Sequence, residues 1–127
     1  MIKKIIETND APKAIGTYSQ GTIYNNLVFT SGQIPLDPQK GTLVEGGFRV
    51  EVEQVLNNLD GVLRAGNSSL DNILKLTVFI TDITFFPDVN DVFKIFFKKN
   101  LPARSVVEVS SLPLDSRIEI EAVGYIK

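Results

Sequence analysis

Two hydrophobic periods alternate along this chain. An apolar run at residues 2–6, with Ile2, Ile5 and Ile6, predicts a short opening strand. Residues 22–24 and 27–33 predict two further strands joined at Asn25-Asn26, because asparagine tolerates the positive φ of a tight hairpin turn. A loop follows, marked by Pro35, Asp37, Pro38 and Gly41. Then the period lengthens. Val52, Val55, Leu56, Leu59, Val62 and Leu63 recur at helical spacing, with Glu53, Asn57, Asp60 and Arg64 between them, and Gly66 stands where the helix should stop. The stretch L-K-L-T-V-F-I at 74–80 reads as a strand. Val89, Val92, Phe93, Phe96 and Phe97 outline a second amphipathic helix, with Pro87 near its start, where a missing N–H is tolerated. Strands at 104–109 and 117–125 close the series.

The order is β-β-β-α-β-α-β-β: an α+β domain over residues 1–127, one mixed sheet with two helices on one face. The other face is not accounted for. In 74–80, Leu74, Leu76, Val78 and Ile80 point one way, and Lys75, Thr77 and Phe79 the other; in 27–33, Leu27 and Phe29 oppose Val28. Both sides are partly apolar, yet no helix remains for the second. Burial against another copy of the chain is the economical solution, and a thin domain with a few exposed apolar side chains is the plainer one.

Composition narrows the chemistry. The 127 residues are 43% hydrophobic and 22% charged, which suits a packed core. The net charge is −2, and the densest basic pairs are Lys3-Lys4 and Lys98-Lys99, so nucleic acid is disfavoured as a partner. There is no cysteine, hence no disulfide and no thiol nucleophile, and no histidine, which excludes Ser-His-Asp and Cys-His catalysis and nearly all zinc sites. No stretch approaches the ~20 apolar residues of a membrane span. M-I-K-K-I-I-E-T lacks the apolar core of a signal peptide, so a soluble intracellular protein is expected. Acid–base work falls to Asp, Glu, Lys, Tyr, Arg, Ser and backbone amides. A carboxylate acting on a bound water, beside a cation that holds an anionic substrate, is the simplest set left.

The segment L-P-A-R-S-V-V-E-V at 101–109 supplies such a cation. It opens a strand with an arginine, whose guanidinium is costly to bury without a partner. Period-two geometry puts Arg104, Val106 and Glu108 on one face, and Arg117, Glu119, Glu121 and Val123 on one face of the last strand. Because S-S-L-P-L-D is short, the two strands are expected to be antiparallel neighbours, with Arg104 across from Glu119 and Glu121. A cross-strand salt bridge worth roughly 0.2–1 kcal/mol fits this pattern. So does a guanidinium that grips a substrate carboxylate while a glutamate handles water. Elsewhere, Tyr18 lies in a loop of small residues, T-S-G-Q at 30–33 puts Gly32 inside a strand as a bulge or a ligand-facing backbone, and Asn90 begins the second helix as an ordinary surface position.

Six stretches in register, I-G-T-Y-S-Q-G, L-V-F-T-S-G-Q-I-P, L-D-N-I-L-K-L-T-V-F-I-T-D, F-P-D-V-N, L-P-A-R-S-V-V-E-V and I-E-I-E-A-V, resemble the RidA/YjgF family of enamine/imine deaminases. The resemblance implies a chorismate-mutase-like fold and a homotrimer, with sheets packed inward and a cleft between each pair of neighbours. It also implies that Arg104 binds the substrate carboxylate, that Glu119 positions or activates water, and that Tyr18, Ser31, Gly32 and Asn90 line the pocket. Glu121 is left as a structural acid. The implied activity is that of a cytoplasmic, cofactor-independent 2-iminobutanoate/2-iminopropanoate deaminase. It would convert 2-aminoacrylate-type intermediates to 2-keto acids and ammonia.

The chain departs from the family pattern in three places. Val106 stands where many members have cysteine, Thr17 replaces the usual proline before the tyrosine, and the K-K-N-L link ahead of Pro102 is short. Two other activities compete: a non-catalytic trimer that binds small 2-keto acids, and a translation-inhibiting endoribonuclease. A binder would need only the arginine, so Arg104 together with Glu119 favours the enzyme. The absent histidine and the acidic balance disfavour RNA cleavage.

Overall fold

In the computed structural model, which describes residues 2–127, the elements are β1 (Lys4–Ile6), β2 (Gly21–Tyr24), β3 (Leu27–Thr30), α1 (Phe48–Ala65), β4 (Ile73–Ile80), α2 (Phe86–Phe96), β5 (Ala103–Glu108) and β6 (Ile118–Tyr125). The β2–β3 hairpin turns at Asn25, whose φ of 55° is the positive value its sequence allows. The six apolar residues of the first helical pattern are all fully buried on α1, and the amide of Gly66 closes the helix on the carbonyls of Val62 and Leu63. The helix starts at Phe48, four residues before the pattern suggests. The extra turn is held by tertiary contacts: Phe48 stacks on Phe85, and Glu51 pairs with Arg117.

The strands form one sheet in the order β1-β2-β3-β6-β4-β5. Every pair is antiparallel except β4–β5, which is parallel. This corrects the expected pairing of the last two strands. α2 connects β4 to β5, and a strand–helix–strand crossover returns the chain parallel beside its starting strand. β4 therefore lies between β5 and β6, and residues 109–117 arch over its end. Val109 N–H donates to the carbonyl of Ile80 (2.9 Å), and Thr81 N–H to that of Arg117 (3.1 Å).

Val28, Leu76, Val78, Ile80, Ile118, Ile120 and Ala122 face the helices and form the core with them. A bulge between Ile73 and Lys75 turns Leu74 outward, against the simple alternation, and leaves it 46% exposed. The opposite sheet face carries Ile5, Leu27, Phe29 and Val107, all exposed in the single chain. The second apolar face read from the alternation is real, and none of the described residues covers it.

The N-terminal segment packs tightly onto α1. At Gly61 a β-carbon would lie 2.3 Å from the Asp10 carbonyl oxygen. Glycine inside a helix ordinarily costs roughly 0.5–1 kcal/mol relative to alanine. Here the clash reverses the sign, and Gly61→Ala should destabilise the fold by about 1–3 kcal/mol. Urea unfolding measures it; a midpoint at or above wild type would show that residue 10 yields freely.

Candidate active site

The ladder between β3 and β6 is interrupted where the chemistry gathers. Phe29 pairs with Val123, and Gln33 pairs with Ile120, so three residues on one side oppose two on the other. The extra residue makes a bulge at Thr30, Ser31 and Gly32. Thr30 Oγ1 accepts the Ala122 N–H (3.0 Å), the Ser31 N–H donates to the Gln20 carbonyl (2.9 Å), and the Ser31 hydroxyl donates to the Ser19 carbonyl. The Ser31 amide is thereby taken up within the chain. Gly32 lies against Glu119: a β-carbon there would be 2.6 Å from the carboxylate. Any side chain at this position would push the Glu119 carboxylate out of its place. Tyr18 stands nearby on the 9–19 loop, half exposed, its hydroxyl accepting the Ile15 N–H (3.2 Å). Tyr18 and Ser31 line one shallow depression.

The second group sits at the far edge of the sheet. Arg104 shares the helix-covered face with its neighbour Leu76. Its guanidinium carbon lies 5.4 Å from the Phe86 ring centre and 5.3 Å from that of Phe93, two turns further along α2. Among the described residues no carboxylate pairs with it. Glu108, on the same strand face, instead accepts the Ile83 N–H (2.8 Å). A hollow of about 680 Å³ opens beside Arg104, lined by Asn90, Phe93, Phe97 and Pro102 with Lys94 and Lys98 at its rim. Asn90 is therefore a lining residue rather than a plain surface position.

The six residues singled out thus fall into two groups: Tyr18, Ser31, Gly32 and Glu119 on the open face, and Asn90 on α2 with Arg104 beneath that helix. The expected facing of Arg104 and Glu119 does not occur within one chain. Arg104 is in register with Leu76 and, through it, Ala122. Glu119 is then about 10 Å away across the sheet and about 10 Å along it, on the opposite face. Arg117 also leaves the face it was expected to share with Glu119. It precedes the first paired residue of β6 and turns to α1, where Glu51 binds it. The sequence reading missed Phe86 and Phe93 as supports for Arg104. Their spacing of seven on the helix covering that strand was the available signal.

A family model described as endoribonuclease L-PSP matches residues 8–126. The chain is 46% identical over 124 residues to the 2-iminobutanoate/2-iminopropanoate deaminase of Rattus norvegicus, a match covering 98% of this chain and 90% of that protein. The solved structure of the conserved Rid-family protein YyfA from Yersinia pestis superposes with a TM-score of 0.95 at 44% identity, over 98% of this chain and 100% of that one. TdcF from E. coli, solved with bound serine, superposes with a TM-score of 0.93 at 42% identity, over 98% and 99%. The chain belongs to the RidA/YjgF family. Its fold is accordingly the chorismate-mutase-like α+β arrangement, with a mixed sheet and two helices on one face.

In this RidA/YjgF chain the electrostatics separate the two acids of I-E-I-E. Burial raises the Glu119 pKa above the ordinary glutamate value, and the charge of Glu121, two residues along the same face, raises it further. A raised pKa makes Glu119 a better proton acceptor once ionised. Among the described residues no cluster of acids converges as a metal site, and no helix is long and apolar enough to cross a membrane. Carboxyl-detected NMR should place the Glu119 midpoint above the ~4.3 of a free glutamate. Glu121→Gln should lower it only part of the way, because burial is the larger cause. A wild-type midpoint at or below the free value would contradict this environment.

Proposed function

We propose that this chain is a cofactor-independent enamine/imine deaminase that converts 2-aminoacrylate-type intermediates to 2-keto acids and ammonia. In this reading it works in the cytoplasm as a homotrimer of single-domain chains. Its cleft lies between two copies, with Arg104 and Asn90 from one and Tyr18, Ser31, Gly32 and Glu119 from the next. The observation that carries the reading is the division itself. One chain offers an unneutralised guanidinium beside a hollow, and a basic carboxylate on the opposite, uncovered face. Neither half can complete the reaction alone. The exposed Leu27, Phe29 and Val107 supply an apolar surface for packing the copies together. The serine bound to the TdcF relative, an amino acid with a carboxylate, supports a small carboxylate ligand.

The chemistry follows from these groups. The enamine first tautomerises, a proton moving from nitrogen to the terminal carbon, and gives the imine. Arg104 holds the carboxylate through two parallel N–H donors. The imine nitrogen takes up a proton from solvent to become the iminium, and Glu119 accepts a proton from a water as the water oxygen bonds to the iminium carbon. The resulting carbinolamine carries hydroxyl and amine on one carbon. The proton held by Glu119 passes to the amine, the C–N bond breaks and ammonia leaves, while the hydroxyl becomes the keto group and returns its proton to the Glu119 carboxylate. Tyr18, whose oxygen accepts from Ile15, retains its own proton for donation to substrate. Such imines hydrolyse unaided, so orientation and one proton transfer, worth about 10²–10⁴-fold, account for useful catalysis. Val106 in place of the frequent cysteine packs against the core and takes no part in this scheme.

A dehydratase that releases 2-aminoacrylate in place provides the assay. The wild type should accelerate keto-acid formation. Arg104→Ala should abolish the effect with the assembly intact, whereas Glu119→Gln should lower kcat by roughly 10²-fold or more and leave keto-acid affinity nearly unchanged. Binding of keto acids without any acceleration by the wild type would instead support the non-catalytic carrier.

A further inference from the structure

The second arginine on the sheet poses a separate question. Arg117 is paired, unlike Arg104: its Nε donates to Glu51 Oε1 (3.1 Å) and its Nη2 to Glu51 Oε2. Glu51 is buried in the first turn of α1. The Arg117 guanidinium carbon also lies 5.6 Å from the Phe48 ring centre and 5.3 Å from that of Phe85, and those two rings stack at 4.2 Å. Phe85 immediately precedes Phe86, which supports Arg104. The two arginines are thus joined by one peptide bond between adjacent phenylalanines.

The aromatic cluster adds a side-chain restraint at the start of α2. Phe85, at the N-cap position, caps no backbone amide with its side chain; the 3-10 turn at Ile83–Phe85 that leads into α2 is capped by Asp82, whose Oδ1 accepts the Thr84 N–H (2.9 Å). That cap holds the backbone of the turn and leaves the direction of the Phe85 and Phe86 rings to side-chain packing. Arg49 also ties α2 to α1 through Asp88 and Asp91, but that pair is exposed and such pairs hold little. The half-buried cluster of Phe48, Phe85, Arg117 and Glu51 is the stronger restraint. With no carboxylate of its own, Arg104 depends on the placement of Phe86 and Phe93 for its orientation.

We propose that Glu51 and Arg117 are positioning residues for Arg104. Together with Phe48 and Phe85 they fix the first turn of α2, so that Phe86 presents its ring to the guanidinium before substrate arrives. The proposal deepens the deaminase reading, in which Arg104 anchors the substrate carboxylate. It assigns a functional consequence to an ion pair remote from the reacting atoms.

The test uses the intact protein and two readouts. In the free protein, the Nε–H NMR signal of Arg104, assigned with Arg104→Lys, should broaden or shift in Glu51→Gln. In catalysis the same variant should raise KM and the 2-ketobutyrate Kd roughly tenfold while kcat stays within about twofold. Because Arg117 lies two residues before Glu119, a merely structural disturbance would lower kcat as well. In a Phe86→Leu background, Glu51→Gln should add almost nothing. If Glu51→Gln does not fold, Phe85→Leu, which keeps the ion pair, carries the same expectations. An unchanged Arg104 signal, a parallel fall in kcat, or full additivity with Phe86→Leu would overturn the proposal. A wild type without deaminase activity would overturn the reading of the site, while the Arg104 signal would still decide the positioning role.

Discussion

Arg104 carries its charge on the helix-covered face of the sheet, and the described chain gives it no acid to match. Two aromatic rings cradle the guanidinium without neutralising it. A cation held by rings keeps its hydrogen-bonding edge free, and a hollow lies beside that edge. The chain meets the opposite need at Arg117, where Glu51 closes the same kind of side chain into an ion pair. One arginine is paired within the chain, and the other faces a hollow that suits the anion of the proposed function. The mixed sheet, the crossover helix and the aromatic cluster all serve that difference.

Much of this was legible in the sequence. The helical spacing from Val52 to Leu63, the stop at Gly66 and the turn at Asn25 report local physics, and local physics governed those elements. The apolar Leu27 and Phe29 on the second face were readable because alternation along a strand is equally local. Pairing was not. The short link between β5 and β6 argued for adjacency, yet α2 between β4 and β5 was the stronger topological signal, since a helical crossover brings β5 back beside β4. That topology puts β4 between β5 and β6 and so separates Arg104 from Glu119. Arg117 and the outward Leu74 escaped because strand ends and bulges break the period of two.

The separation changes what the site residues mean. Read as cross-strand neighbours, Arg104 and Glu119 are fully explained as a salt bridge. Held apart, they do not form a site within one chain, and in the proposed trimer the uncovered apolar face is where two chains would bring them together. Gly32 belongs to the same logic: the bulge presses backbone against the Glu119 carboxylate, which limits its hydration and leaves it basic.

Mixing two inactive variants tests the shared cleft most directly. Arg104→Ala chains retain Glu119, and Glu119→Gln chains retain Arg104. Unfolded together and reassembled, they should recover roughly a quarter of wild-type deaminase activity if each cleft of a trimer draws one group from each of two chains at random. Recovery of nothing beyond the sum of the separate variants, in assemblies shown to be mixed, would mean that both groups must come from a single chain and would contradict the division of the site.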